Sequence, residues 1–175
     1  MNGVAKNINL ISIKALNSKG DVPWAFNAVL ESVKSNNHQK KAVVLWAATS
    51  IARFPDDTSQ PWARIKPLMQ MLFDEDVTIV VPAGNFGIEP GRGRVDTLPA
   101  VWESDAFPLV VAGAVDNRGA KGGFSQGPDR VTVHAPGVEV RCAKVGQGAK
   151  GVSTGTSVAS GMVSPILLKM YEILW

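Results

Sequence analysis

Val77-Thr78-Ile79-Val80-Val81-Pro82-Ala83-Gly84-Asn85-Phe86-Gly87 is the stretch from which the architecture can be read. Five β-branched residues in succession, with no polar alternation, describe a central strand covered on both faces, the pattern of a parallel sheet. Reacting groups gather at the C-terminal ends of such strands, and Asn85 stands there. Its neutral carboxamide offers two protons, so it can stabilise an oxyanion without competing as the base. Taken alone, the motif reads equally well as a glycine turn.

A second stretch lies near the end of the chain. Gly151-Val152-Ser153-Thr154-Gly155-Thr156-Ser157-Val158-Ala159-Ser160-Gly161-Met162-Val163 runs into the helical apolar pattern Pro165-Ile166-Leu167-Leu168-Lys169-Met170-Tyr171. Small residues opening into a helix bring one side chain to its N-terminus among free backbone N–H groups. Ser157 is that side chain. As a nucleophile it would have its own N–H and the positive end of the helix dipole facing the oxyanion formed on attack. An isolated turn of this kind is more often a set of capping residues, here Thr154, Thr156 and Ser157.

Outward from these two stretches, Ile8 to Ile13 reads as a strand and Val22 to Ser35 as an amphipathic helix, with Ala25, Val29 and Val33 at helical spacing. Ala42-Val43-Val44-Leu45-Trp46-Ala47 reads as a buried strand. Thr58 or Ser59 caps a helix from Pro61 to about Phe73, which Pro67 bends or breaks. Pro108 to Val115 is a further strand, and Val131 to His134 and Val138 to Cys142 are shorter ones. Strands alternating with helices over short links predict a mainly parallel sheet in a three-layer αβα architecture. The stretch from Phe86 to Phe107, rich in Gly, Pro, Arg and Asp, is the one extended loop.

Composition excludes several classes. At 175 residues, with 45% hydrophobic and 19% charged residues, the chain reads as one folded domain, 1–175. A net charge of +3, with scattered Lys and Arg, argues against nucleic acid as partner. The single Cys142 rules out an intrachain disulfide and reads as a small strand hydrophobe. The opening residues, 1–7, lack the apolar core of a signal peptide, and no run of 18 apolar residues implies a membrane span. Gly146-Gln147-Gly148-Ala149-Lys150-Gly151 matches G-x-G-x-x-G, but too little chain follows it for a dinucleotide-binding unit. No Asp or His follows Ser157, which excludes an α/β-hydrolase triad. Two separated histidines and one cysteine give no metal-ligand spacing.

Together the motifs resemble the subtilisin-like serine proteases, the subtilases. Pro82-Ala83-Gly84-Asn85-Phe86-Gly87 looks like their oxyanion-asparagine loop, and Gly155-Thr156-Ser157-Val158-Ala159 looks like their nucleophile motif. Between them, Leu109 to Asp116, Phe124-Ser125-Gln126-Gly127-Pro128 and Val133-His134-Ala135-Pro136-Gly137-Val138 follow the family's strand, Phe-Ser loop and Ala-Pro-Gly turn. The resemblance implies a serine endopeptidase acting on peptide or protein substrates, with Ser157 as nucleophile and Asn85 in the oxyanion hole. It implies substrate binding along Ala47, Ala48 and Thr49 and at Gly84. Thr49 stands where the family has a glycine and crowds the main specificity pocket; Gly161 stands where the family has a proline.

The resemblance also exposes a gap. The chain contains neither an apolar strand followed by Asp-x-Gly nor a His-Gly-x-x-Val, the segments that carry the family's other two triad members. It matches the C-terminal part of a catalytic domain, without the N-terminal strands and the catalytic-histidine helix. His134 and His38 read as structural or exposed residues. Two readings follow. In one, a second polypeptide supplies His and Asp, as in a fragment or a split or processed enzyme. In the other, the scaffold is an inactive binding or regulatory protein. No cofactor is implied, although some subtilases bind calcium through loop carboxylates, for which Glu89, Asp96 and Asp105 are the candidates. Family members are often secreted, but the compartment stays open.

Overall fold

The computed structural model describes residues 8–15, 21–55, 60–143, 146 and 148–174. Its elements in chain order are α1 (Asp21–Ser35), β1 (Val43–Leu45), α2 (Gln60–Asp74), β2 (Thr78–Pro82), a short 3-10 turn (Ala100–Trp102), β3 (Val110–Val115), β4 (Val133–Pro136), β5 (Val140–Ala143), β6 (Lys150–Ser153) and α3 (Thr156–Leu174). The caps expected at Thr58 or Ser59 lie outside the described residues.

Four strands form one parallel sheet in the order β1-β2-β3-β4. β2 is central and buried along its length, as its unbroken β-branched run requires. Alternate residues feed two cores. Ile79, Val81 and Val111 join Phe26, Leu30, Ile65, Met69 and Leu72 of α1 and α2 on one face. Val80, Ala112, Ala114 and Ala135 join Ala159 and Val163 of α3 on the other. This is the three-layer α/β arrangement. β5 and β6 form a separate antiparallel hairpin that feeds α3.

Several expectations shift on contact with the structure. Residues 8–15 form no strand, and Leu10 and Ile11 stay 84% and 65% exposed. An extended segment becomes a strand only when another pairs with it, and among the described residues none does. The run 42–47 is strand only over Val43–Leu45, because β1 is the edge of the sheet, and Leu45 is 42% exposed. α2 continues unbroken through Pro67. The bond that proline cannot donate would have gone to the carbonyl of Ala63, which is exposed and therefore open to water. β6 was not expected. Its residues carry no alternation, and their pairing with β5, Cys142 opposite Gly151 among them, is what defines it.

Candidate active site

Ser157 is the second residue of α3. The carbonyl of Gly155 accepts from the N–H groups of Val158 (3.1 Å) and Ala159 (3.3 Å), and the Thr156 N–H goes to Asn85 Oδ1 at 2.8 Å. Among the described residues that leaves the Ser157 N–H as the unengaged donor of the first turn. The turn is pressed against the sheet by two glycines. Gly155 donates its N–H to the Gly137 carbonyl at 2.8 Å. A Cβ on Gly137 would stand 2.6 Å from the Ala114 Cβ and 2.8 Å from the Gly155 carbonyl oxygen, so only glycine allows this approach.

Asn85 follows the end of β2, and its orientation is dictated by donors. Thr156 offers Oδ1 both its N–H and its hydroxyl, the latter at 2.9 Å. The same hydroxyl accepts the Gly84 N–H at 3.2 Å, so its single proton is committed to Asn85. An amide placed against two donors must present its oxygen to them, which settles the flip. The Asn85 NH2 group therefore faces away from Thr156. Measured from the point where a Cβ of Gly155 would sit, Ser157 Oγ lies at 3.2 Å and Asn85 Nδ2 at 3.5 Å. A serine hydroxyl, a carboxamide donor and a free helix N–H thus converge on one corner, an arrangement able to stabilise a tetrahedral oxyanion.

Neither histidine of the chain reaches that corner. His38 follows α1, its N–H bonded to the Val33 carbonyl at 2.9 Å, ahead of the first residue of β1 and hence at the opposite end of the sheet. Ala135 of β4 packs on the α3 face, so its neighbour His134 points to the other. The His134 ring lies over Gly113, 2.8 Å from where a Cβ would be.

Ala47, Ala48 and Thr49 leave the end of β1 without regular structure. Trp46 donates its N–H to the Val80 carbonyl at 3.0 Å, which extends the parallel register of Leu45 against Val80. Ser50 then locks it to the long loop. Its N–H goes to the Leu98 carbonyl at 2.8 Å, and its Oγ accepts the Leu98 N–H at 2.9 Å.

That loop is braced from within around Arg92, a residue the sequence reading passed over. The buried Arg92 stacks on the Phe86 ring at 3.9 Å and binds both oxygens of Asp96, at 2.9 and 3.0 Å, with Glu89 and the Ile51 carbonyl at 3.3 Å. Burial pushes the Asp96 carboxyl up, but hydrogen bonds from Arg92 and Gln126, with the charges of Arg92 and Arg53, outweigh it and hold the carboxyl below its ordinary value. Glu89 and Asp96 are thus engaged with arginine, and no cluster of three or more His, Cys, Asp or Glu suited to a metal occurs among the described residues. The sequence signal for Arg92 was slight: an Arg and an Asp four apart in a loop have no helical reason to meet. No helix among the described residues is long and apolar enough to cross a membrane.

The chain is similar to known proteins in sequence and in fold. The profile described as Subtilase family (peptidase S8) matches residues 1–174. Subtilisin-like protease 2 of Trichophyton verrucosum is 26% identical over 98% of this chain and 38% of its own length. Subtilisin-like protease 1 of Pseudogymnoascus destructans is 27% identical over 93% of this chain and 37% of its own length. The chain therefore spans less than two fifths of these curated relatives. Among solved structures, a cold adapted subtilisin-like serine proteinase superposes with a TM-score of 0.69 at 22% identity, covering 97% of this chain and 56% of the other. The Prenylagaramide maturation protease PagA gives 0.63 at 21% identity, covering 90% and 53%.

Proposed function

The chain belongs to the subtilase family, and from that premise we propose that it is the nucleophile-bearing portion of a serine endopeptidase. Ser157 attacks the scissile carbonyl, and Asn85 Nδ2 with the Ser157 N–H holds the oxyanion. The peptide lies along Ala47, Ala48 and Thr49 and over Gly84. The observation that carries this reading is the fixed Asn85 carboxamide, its oxygen held by two Thr156 donors so that its protons are left for the corner occupied by Ser157.

The base is the second half of the proposal. Both histidines are remote from Ser157, so a second polypeptide segment supplies His and the Asp that orients it. The bare edge of β1, with Leu45 exposed, supports docking of a further strand there. The test is a fluorophosphonate probe with the adduct mapped by mass spectrometry. The folded chain alone should react weakly at Ser157, reactivity should rise when a segment carrying the two missing residues is added, and Ser157→Ala should abolish it. A folded, complemented chain that never reacts would sink the reading.

A second reading rests on the same remote histidines. Loss of the base from a triad of this kind lowers turnover about a millionfold, so the chain on its own is a scaffold that binds peptide without cleaving it. Peptide binding unaffected by Ser157→Ala, with no probe reaction under any complementation, would favour it.

A further inference from the structure

On the reading above, the substrate side chain next to the scissile bond lies between the 47–49 segment and Gly84, and the residues lining that space are already packed into it. Gly84 has φ +106°, and a Cβ placed on it would stand 2.0 Å from Gln126 Oε1 and 3.0 Å from Thr97 Oγ1. Gln126 is fully buried and held at both ends. Its backbone N–H goes to the Gly84 carbonyl at 3.1 Å, and its Nε2 lies 2.8 Å from the Arg92 carbonyl and 2.7 Å from both the Arg94 carbonyl and Asp96 Oδ1. With the nitrogen so anchored, the oxygen end is turned onto Gly84. It cannot swing aside without giving up the Nε2 contacts to the Arg92 and Arg94 carbonyls and to Asp96.

Two further observations point the same way. Gln126 Oε1 and Thr97 Oγ1 are both buried with no hydrogen-bond partner in the protein, so no open space adjoins Gly84 on that side. On this reading the other wall is the segment ending in Thr49, which stands where the family has a glycine. Ser50 is bonded twice to Leu98, so this wall cannot retreat from Thr97.

We infer that the pocket is shallow, and that the chain selects a small side chain (glycine, alanine or serine) immediately before the scissile bond. Aromatic and long aliphatic side chains are excluded by the carboxamide of Gln126. This inference rests on the endopeptidase reading of Ser157 and Asn85.

Two peptide boronic acids separate the possibilities, one ending in alanine and one in phenylalanine and otherwise identical, titrated calorimetrically against the folded chain. The alanine compound should bind at least about ten-fold more tightly, the scale on which a pocket discriminates by size. Gln126→Ala should narrow or invert the ratio, with Thr97→Gly moving it in the same direction. Equal or tighter binding of the phenylalanine compound to the unaltered chain overturns the inference without need of any variant. So does a ratio that Gln126→Ala leaves untouched in a protein that still folds. If neither compound binds even when the segment carrying the missing His and Asp is added, or if binding survives Ser157→Ala, the endopeptidase reading fails and takes this inference with it.

Discussion

The two faces of the sheet are built from different materials. Toward α1 and α2 it presents Ile79, Val81 and Val111, met by Phe26, Leu30, Ile65, Met69 and Leu72. Toward α3 it presents Ala112, Ala114 and Ala135 beside Val80, with Val43, Val110 and Val133 partly buried around them, met by Ala159 and Val163. Bulky side chains hold a helix away from a sheet, and alanines let it settle close. The first face buries the apolar area that stabilises the fold. The second trades area for proximity, bringing the N-terminus of α3 down onto the ends of β2 and β3, where Thr156 can grip Asn85. The faces differ because one has to be stable and the other has to be near.

Substitutions on the two faces should separate stability from site geometry. Leu72→Ala should have the largest effect on stability, about 2–5 kcal/mol by urea denaturation, because the side chain is fully buried among large neighbours that cannot close the cavity. It should leave boronic acid binding at Ser157 intact while the protein is folded. Ala114→Leu should cost about 1–3 kcal/mol by overpacking, yet lose most of that binding, because the Ala114 Cβ already lies against Gly137 and the turn carrying Ser157. A Leu72→Ala protein that is folded but has lost the site, beside an Ala114→Leu protein that keeps it, would break the distinction. Gly161→Ala should give the smallest change, a gain of up to about 1 kcal/mol, or roughly 2–4 °C in Tm. Nothing lies within 4 Å of the new Cβ, so the alanine contacts under α3 are undisturbed.

What the sequence disclosed follows the same division. The β-branched run 77–81 and the small-residue turn into α3 are local patterns, and both elements sit where those patterns put them. Asn85 and Ser157 could be named because each stands at the end of such an element. The segment 8–13 looked like a strand for equally local reasons, but strands are made by partners, and the residues themselves do not say whether a partner is present. Gln126 was out of reach for a related reason. It matters because its carboxamide rests on Gly84, a contact between loops far apart in the chain that leaves only an unexplained glycine in the text. Thr156 lay in plain view as a capping candidate, yet its use as the clamp on Asn85 depends on the close approach the alanine face allows.

The far end of α3 is tied down as well, where the Tyr171 hydroxyl meets the Thr78 hydroxyl at the start of β2. Tyr171 is the only tyrosine in the chain. A sample grown on isotopically labelled tyrosine therefore has one residue's worth of signal in its NMR spectrum, and that signal sits at the opposite pole of the helix from Ser157. Any ligand, variant or added segment that shifts α3 bodily along the sheet should move this lone resonance, whereas a change confined to the Ser157 corner should leave it in place.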